Sequence, residues 1–245
     1  MASRQLALDL PHADSRSRDD FLPGLANEAA LALIETWPDW PARAVALVGP
    51  PGSGKSHLAA IFAEAANAPV IPAAALDIAA VPGLLASGAL VVEDLGEGPV
   101  PEAALFHLLN LVGEQKASLL ITSARLPSTL SEGLATADLA SRLRVLPVVR
   151  LGPPDEELLA AVAVKLFADR QILPDEALLA YLLPRVERSI AGLRDVVAEL
   201  DREALARKRP LTRALAAELL RARADSSDET DRASSEIVLN DLTIG

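Results

Sequence analysis

The segment AVALVGPPGSGKS constrains the fold of this chain more than any other. Residues 44–49 form a continuous apolar run of the length of a buried strand, and Gly49–Ser56 follow with the spacing G-x-x-x-x-G-K-[ST]. A helical pattern over residues 55–66 comes directly after. Strand, glycine-rich turn and helix in this order are the context that a phosphate-binding loop requires. We therefore expect a nucleotide site here, and a turn that binds nothing is the alternative.

The residue types in this loop suit the chemistry of a phosphate site. Glycines let the backbone approach the phosphates, while backbone amides and the helix N-terminus attract negative charge. Lys55 would reach the β- and γ-phosphates, and Ser56 can ligate Mg²⁺. The predicted nucleotide-binding residues here are Gly49, Pro50, Pro51, Gly52, Ser53, Gly54, Lys55, Ser56 and His57.

Apolar runs alternate with helical patterns through the first part of the chain. The runs predict further strands at 69–73, 88–93, 118–123 and 146–151. This alternation implies an α/β fold with a parallel sheet and helices on both faces. After residue 155 only helices are predicted, at 155–169, 175–183, 188–207 and 211–223. We expect an α/β domain over 21–153 and a small all-α lid subdomain over 154–223.

The two ends of the chain differ from the domains in composition. Residues 1–20 contain the short apolar patch QLALDL and a polar stretch, 11–20, that is typical of a flexible linker. Residues 224–245 are acidic and polar, so we expect a disordered tail.

Composition excludes several classes of protein. The chain has no cysteine and three histidines, which excludes disulfides and makes a zinc centre unexpected. Its net charge of −11 argues against a protein that coats nucleic acid, and we expect no strong direct DNA binding. No apolar run approaches the roughly 20 residues that span a bilayer. We expect a cytoplasmic protein without membrane contact.

Two acidic residues end the predicted strand at 88–93. Glu93 and Asp94 of VVED lie where Mg²⁺ and an attacking water are handled in phosphate sites. The sequence therefore predicts Glu93 as a metal ligand and Asp94 as a catalytic acid. The first acid of such a pair is ordinarily Asp, whose side chain is shorter than that of Glu. The alternative to a metal site is an acidic pair that only solvates the end of the strand.

Five motifs occur together in a familiar order. They follow one another as in AAA+ ATPases: the phosphate loop, VVED, LLITSAR, DLASRL and RSIAGLRDVV. Their amino-acid sequences resemble those of the branch that includes the bacterial replication initiator DnaA. Within that branch the chain is similar to the Hda group, the DnaA-like regulators that inactivate the initiator. The resemblance extends from Phe21 to about Arg223. It implies an AAA+ P-loop domain with a helical lid, and ADP or ATP with Mg²⁺ as ligands.

The resemblance also implies roles for particular residues. Arg142 of DLASRL corresponds to the arginine finger that acts in trans, in a neighbouring subunit's nucleotide site. Arg188 corresponds to the second sensor arginine, which reaches the bound nucleotide, and Arg194 is the competing choice. Residues 21–27, FLPGLAN, correspond to the loop near the adenine.

One motif departs from the family. Ala124 stands where initiators of this family carry Asp at the first sensor, and Thr122 or Ser123 could substitute. Together with Glu93, this departure implies weak intrinsic ATP hydrolysis, so we expect an activator of a partner's ATPase.

The opening patch resembles a motif that binds the sliding clamp, the β subunit of DNA polymerase III. In that motif a Gln side chain hydrogen-bonds in a small pocket and spaced leucines fill an apolar groove. The corresponding residues are Gln5, Leu6, Leu8 and Leu10. The resemblance therefore implies two partners, the clamp and the initiator DnaA.

Other functions remain open at this stage. A helicase-loader-like or DnaA-like ATPase that acts on single-stranded DNA is one alternative, and a free-standing ATPase is another. The basic stretch over residues 201–213 is more often the solvated face of a helix than a DNA contact. The sequence leaves open ADP or ATP as the working ligand, and a monomer or a homodimer.

Overall fold

The computed structural model describes residues 16–221 of the chain. They divide into two compact units. The first, the α/β unit, contains the residues up to Leu22, Ala29–Val48 and Lys55–Arg150. The second, the helical unit, contains Pro23–Glu28, Gly49–Gly54 and the residues from Leu151.

A five-stranded parallel sheet forms the centre of the α/β unit. Its strands are β1 (Ala44–Val48), β2 (Val70–Pro72), β3 (Ala89–Glu93), β4 (Ser118–Ser123) and β5 (Val148–Arg150), in the spatial order β2-β3-β4-β1-β5. Every predicted strand is present, with ends within two residues of the prediction. The carboxyl end of β4 lies between those of β1 and β3, and ligands of open parallel sheets bind at this edge.

Helices and short 3-10 turns connect these strands. The helices in this part of the chain are α1 (Glu28–Glu35), α2 (Lys55–Ala66), α3 (Val81–Leu84), α4 (Glu102–Gln115), α5 (Pro127–Leu130) and α6 (Ala137–Val145). The 3-10 turns are Arg18–Asp20, Ala73–Ala75 and Ser131–Gly133. The helix predicted over 55–66 begins and ends where α2 does.

Helices cover both faces of the sheet, as predicted. Leu90 of β3 lies in a core with Leu105 and Leu108 of α4. The next residue, Val91, is equally buried, and α2 packs against β3 and β4. Because successive strand residues point to opposite faces, each face of β3 is buried by a different helix. This double burial explains why the strands read as continuous apolar runs.

The helical unit contains the remaining helices. They are α7 (Glu156–Ala168), α8 (Glu176–Leu182), α9 (Ile190–Arg207) and α10, residues 213–221, with a 3-10 turn at Leu183–Arg185. Asp155, Asp175 and Ser189 accept hydrogen bonds from backbone amides and so cap α7, α8 and α9. Phe167 and Leu182 are fully buried in the shared core.

The first described residues belong to the α/β unit. Arg18 begins the 3-10 turn Arg18–Asp20, and its Nε lies 2.6 Å from Oε1 of Glu35 in α1. The predicted linker ran to residue 20, so its last residues have regular structure that the polar composition did not indicate. Within residues 16–221, no helix combines the length and the apolar character needed to cross a bilayer.

Candidate nucleotide site

The loop between β1 and α2 requires glycine at three positions. Gly52 and Gly54 have φ angles of 71° and 98°, in the left-handed region that side chains disfavour. A Cβ atom on Gly49 would lie 2.7 Å from the carbonyl oxygen of Leu151. The three glycines of the motif are therefore explained by local geometry.

The start of α9 packs against this loop within the helical unit. The backbone N–H of Ile190 donates to the carbonyl oxygen of Gly52 at 3.0 Å. A Cβ atom on Gly52 would lie 3.0 Å from the Cβ atoms of both Ser189 and Ala191. The start of α9 and Gly52 of the loop are thus adjacent, and the second-sensor role of Arg188 stays a prediction.

A buried hydroxyl lies inside the loop. Ser53 is 3% exposed, and its Oγ has no hydrogen-bond partner among the described residues. The same Oγ lies 2.8 Å from where a Cβ atom on Gly49 would be. Buried polar atoms are normally satisfied, so this hydroxyl is available to a ligand or a water.

Lys55 is the first residue of α2 and is 7% exposed. Burial lowers the pKa of its ammonium group, and the carboxylates of Asp94, Glu97 and Glu93 act in the opposite direction. The three carboxylates therefore offset only part of the cost of burying the charged ammonium group. A polyphosphate beside the ammonium would supply further negative charge and favour the charged form.

Glu93 and Asp94 follow each other at the carboxyl end of β3. Oε1 of Glu93 is buried and has no hydrogen-bond partner among residues 16–221. Asp94 has a φ of 59°, and its backbone N–H donates to Oγ1 of Thr122 at 3.0 Å. The acidic pair is thus held in a fixed turn, with one carboxylate oxygen available to a ligand.

The oxygen donors of the α/β unit fit Mg²⁺. Ser56 and Glu93 would hold it, because Mg²⁺ binds one or two protein oxygens together with phosphates and waters. The described residues contain no group of three or more His, Cys, Asp or Glu side chains that would form an all-protein metal cage. The buried, unpartnered oxygen of Glu93 is the observation that supports this fit.

The hydroxyls at the end of β4 hold the acidic turn. Thr122 accepts from Asp94, and Oγ of Ser123 lies 2.6 Å from the carbonyl oxygen of Leu95. Ser123 also accepts from the backbone N–H of Arg125 at 3.0 Å. Ala124 is exposed, and its side chain carries no polar atom. Sequence reasoning named both hydroxyls as substitutes at the first sensor but missed their structural role.

His57 contacts the segment that precedes the α/β domain. Its Nε2 lies 2.9 Å from the carbonyl oxygen of Ser17, and its ring meets the Phe21 ring edge-on at 5.2 Å. Its proposed contact with the nucleotide stays a prediction.

The arginines of the predicted site have different surroundings. Arg142 is exposed on α6, and its guanidinium carbon lies 5.4 Å from the centre of the Phe106 ring. Arg188 is also exposed, with Nη1 3.7 Å from Oε1 of Glu156. Arg194 is half-buried and its Nε is fully buried. Arg188 directly precedes the residues that contact Gly52, whereas Arg194 lies a full turn further along α9.

The loop predicted to lie near the adenine lines a cavity of about 360 Å³. Its lining residues include Pro23, Leu25 and Leu158. The backbone N–H of Gly152 donates to the carbonyl oxygen of Ala26 at 2.9 Å, which fixes this loop within the helical unit. Leu25 is 82% exposed, so an apolar surface is available to a ligand. The clamp-binding residues Gln5, Leu6, Leu8 and Leu10 lie outside the described residues.

Solved structures share this fold. Domain III of the Thermotoga maritima replication initiator DnaA matches with a TM-score of 0.67 and 22% identity, covering 85% of this chain and 97% of that one. The AMPPCP-bound DnaA of Aquifex aeolicus matches with a TM-score of 0.62 and 17% identity, covering 78% and 68%. The Thermotoga maritima RuvB Holliday junction branch migration motor matches with a TM-score of 0.67 and 16% identity, covering 85% of this chain and 72% of that one. No protein-family model matches the chain.

These matches establish the fold. The chain has the AAA+ fold of DnaA domain III and RuvB, a parallel P-loop sheet followed by helices, as the sequence predicted. The identities lie below 25%, so the activities of those proteins are not transferred by the matches themselves.

Proposed function

We propose that the chain is an adenine-nucleotide-binding regulator of bacterial chromosome replication initiation. It binds the sliding clamp and stimulates ATP hydrolysis by the initiator DnaA through an arginine finger, which prevents re-initiation. Its ligands are ADP or ATP and Mg²⁺. The observation that carries the proposal is Arg142, an exposed guanidinium with no carboxylate partner among residues 16–221. A finger that acts in a partner's site has to be exposed and uncommitted.

Nucleotide binding is supported by three features of the phosphate loop. Gly52 and Gly54 adopt the positive φ angles of a tight loop, Ser53 has an unpartnered hydroxyl, and Lys55 is buried beside carboxylates. Lys55→Ala should weaken binding of ADP and ATP about 10- to 100-fold, since it removes a charged hydrogen bond. Lys165→Ala removes one half-buried lysine elsewhere, which is paired with Asp169, and should leave the affinity unchanged. Calorimetry measures both; unchanged affinity of Lys55→Ala would refute the site.

Weak intrinsic hydrolysis is supported by the first-sensor position. The side chain of Ala124 has no polar atom, while the hydroxyls of Thr122 and Ser123 hold the backbone of the acidic turn. Glu93 is longer than the Asp that ordinarily precedes the catalytic acid, although its free oxygen can still ligate Mg²⁺. The ATP that is hydrolysed would belong mainly to the partner.

The second candidate function is an ATPase that acts directly on single-stranded DNA. One structural neighbour is a DnaA bound to AMPPCP and single-stranded DNA, with a TM-score of 0.62 and 19% identity, covering 78% of this chain and 66% of that one. This function does not account for QLALDL. It predicts partner-free ATP turnover that single-stranded DNA accelerates, whereas the regulator needs the clamp and the initiator.

A reconstituted reaction tests the proposal. It contains clamp loaded on DNA, initiator bound to labelled ATP, and the full chain, and it follows conversion of ATP to ADP. The double variant Gln5→Ala/Leu6→Ala should lose clamp binding and keep nucleotide affinity, because it changes only the opening patch. If this variant still binds clamp, the clamp assignment is wrong. If the unmodified chain does not accelerate hydrolysis by the initiator, the proposed function is wrong.

A further inference from the structure

We propose that the helical unit carries a second anion site, which contacts the phosphate backbone of nucleic acid through Arg185 and Arg213. This inference goes beyond the proposed function and does not depend on it. Both arginines lie on the helical unit and neither belongs to the predicted nucleotide site. They share one neighbour, the ring of Tyr181.

The two guanidinium groups are held over the same ring. The guanidinium carbon of Arg185 lies 4.1 Å from the centre of the Tyr181 ring, and that of Arg213 lies at 5.5 Å. Nη1 of Arg185 also donates to the backbone carbonyl oxygen of Tyr181 at 2.9 Å. Cations within about 6 Å of an aromatic centre are attracted by the ring. The ring therefore fixes both groups without neutralising either.

Neither arginine has a carboxylate partner in the part of the chain that the structure describes. Arg207, in the same region, shows the contrast. Its Nε lies 3.0 Å from Glu203 and its Nη1 lies 2.6 Å from Glu218, so its charge is compensated. The charges of Arg185 and Arg213 are left for an external anion.

The chemistry of this pair favours phosphate. A guanidinium group donates two parallel hydrogen bonds to phosphate oxygens, and the Tyr181 ring restricts the rotamers that binding would otherwise have to order. Phosphates of one strand follow each other about every 3.4 Å along the helix axis, so two neighbouring cations can contact one strand. Lys208 and Arg209, exposed in the connection before α10, add positive charge close by in sequence.

Such a site is weak by itself. The chain has a net charge of −11, and only a few cations are concentrated here. Weak contacts become effective when another contact already holds the protein near the same DNA, because tethering raises the effective concentration. The site would therefore assist a protein that is recruited to DNA rather than recruit it.

Fluorescence anisotropy with a short labelled single strand tests the site in the full chain. The double variant Arg185→Ala/Arg213→Ala should lower the affinity about tenfold at 50 mM salt, where such contacts are strong. Because each phosphate contact contributes about 0.7 to the salt dependence, the slope of log affinity against log salt should fall by about 1.4. The melting temperature should stay unchanged and show that the variant is folded.

The matched control is Arg18→Ala/Lys165→Ala. It removes the same net charge from two ion-paired positions elsewhere, the exposed Arg18 and the half-buried Lys165. We expect this control to leave the slope of log affinity against log salt unchanged. Tyr181→Leu keeps both charges but removes the ring, and it should weaken binding by a smaller factor than the double arginine variant.

Three results would overturn the inference. The unmodified chain could fail to bind the oligonucleotide at about 50 mM salt. The control could lose as much affinity as the Arg185 and Arg213 variant, which would indicate only general charge. A polyglutamate peptide of equal charge could displace the oligonucleotide at equal concentration, which would indicate a site for acidic protein.

Discussion

The guanidinium group of Arg142 lies over the ring of Phe106, with 5.4 Å between the guanidinium carbon and the ring centre. Arg142 is on α6 and Phe106 is on α4, two helices that pack against each other. The ring supports the cation without a counter-charge. Phe106 is therefore a positioning residue for the proposed arginine finger.

Arg142→Ala should abolish stimulation of the initiator and leave binding of clamp and nucleotide near normal. Arginine fingers contribute about 10³ to 10⁵ in rate in GTPases, so hydrolysis should return to the initiator's own rate. Phe106→Leu should reduce the stimulated rate about two- to fivefold, the equivalent of one exposed cation–π contact. The reconstituted ATP assay measures both.

Arg144→Ala is the matched control for Arg142. Arg144 lies on the same helix, but its Nε donates to the carbonyl oxygen of Ala140 at 3.2 Å and its Nη2 to Oγ of Ser141 at 3.3 Å. Its replacement should leave stimulation intact. Full stimulation by Arg142→Ala, or equal losses in both variants, would contradict the finger assignment.

The affinity for nucleotide should depend on pH through Lys55. Burial lowers the pKa of Lys55 below its ordinary value of 10.5, and phosphate binding requires the charged form. As the pH rises through this lowered pKa, the free protein loses the proton, so affinity should fall about tenfold per pH unit before pH 10.5 is reached.

Titrations of ADP at increasing pH measure this decline. Lys55→Arg is the control, because arginine keeps its charge over the whole range. Its affinity should be lower than that of the unmodified chain but flat with pH. A flat profile for the unmodified chain up to pH 10.5 would show that burial does not control this lysine.

Arg188→Ala should weaken nucleotide binding more than Arg194→Ala. Arg188 directly precedes Ser189, which packs against Gly52 of the phosphate loop, and within residues 16–221 its ionic contact is an exposed one with Glu156. Arg194 has a buried Nε, so its loss should act mainly on stability. Calorimetry and thermal unfolding separate the two effects, and the reverse order of affinities would make Arg194 the second sensor.

The purified chain should hydrolyse ATP slowly, well below the median enzyme rate of about 10 s⁻¹. The reason is that the side chain of Ala124 has no polar atom at the first-sensor position and that Glu93 replaces the usual Asp as the first acid of the pair. Lys55→Ala measures the background from contaminating ATPases. A partner-free rate near the median would mean that this chain, and not its partner, performs the chemistry.

The sequence was sufficient for the features that depend on local pattern. Burial of both faces makes a strand such as β1 continuously apolar, so its position could be read directly. The glycine-rich turn between β1 and α2 and the acidic pair at the carboxyl end of β3 could likewise be found from residue types alone. The resemblance of the five motifs, in their order, to AAA+ ATPases then predicted the fold, which the structural matches confirm.

Contacts between residues far apart in sequence could not be predicted in this way. His57 meets Ser17 and Arg142 meets Phe106 only because the fold brings distant segments together. Likewise, nothing in RSIAGLRDVV shows that Ile190 donates to Gly52. A polar residue in a sequence indicates a need for a partner, but only the packed chain supplies the partner's identity.

Glu102→Gln should destabilise the start of α6, the helix that carries Arg142. The Glu102 carboxylate lies 3.0 Å from the backbone nitrogen of Ala135 and 2.7 Å from that of Thr136, which precedes α6. The Thr136 hydroxyl and these amides lower the pKa of Glu102 below its ordinary value of 4.5. A lowered carboxyl pKa stabilises the fold above the unfolded value, and this contribution is lost as the pH falls through the folded value. The difference in melting temperature between the unmodified chain and Glu102→Gln should therefore be full at pH 7 and shrink below pH 4.5.

Glu132→Gln, at an exposed position, should show no such pH dependence. A difference for Glu102→Gln that stays constant down to low pH would indicate that the carboxylate charge does not hold this junction.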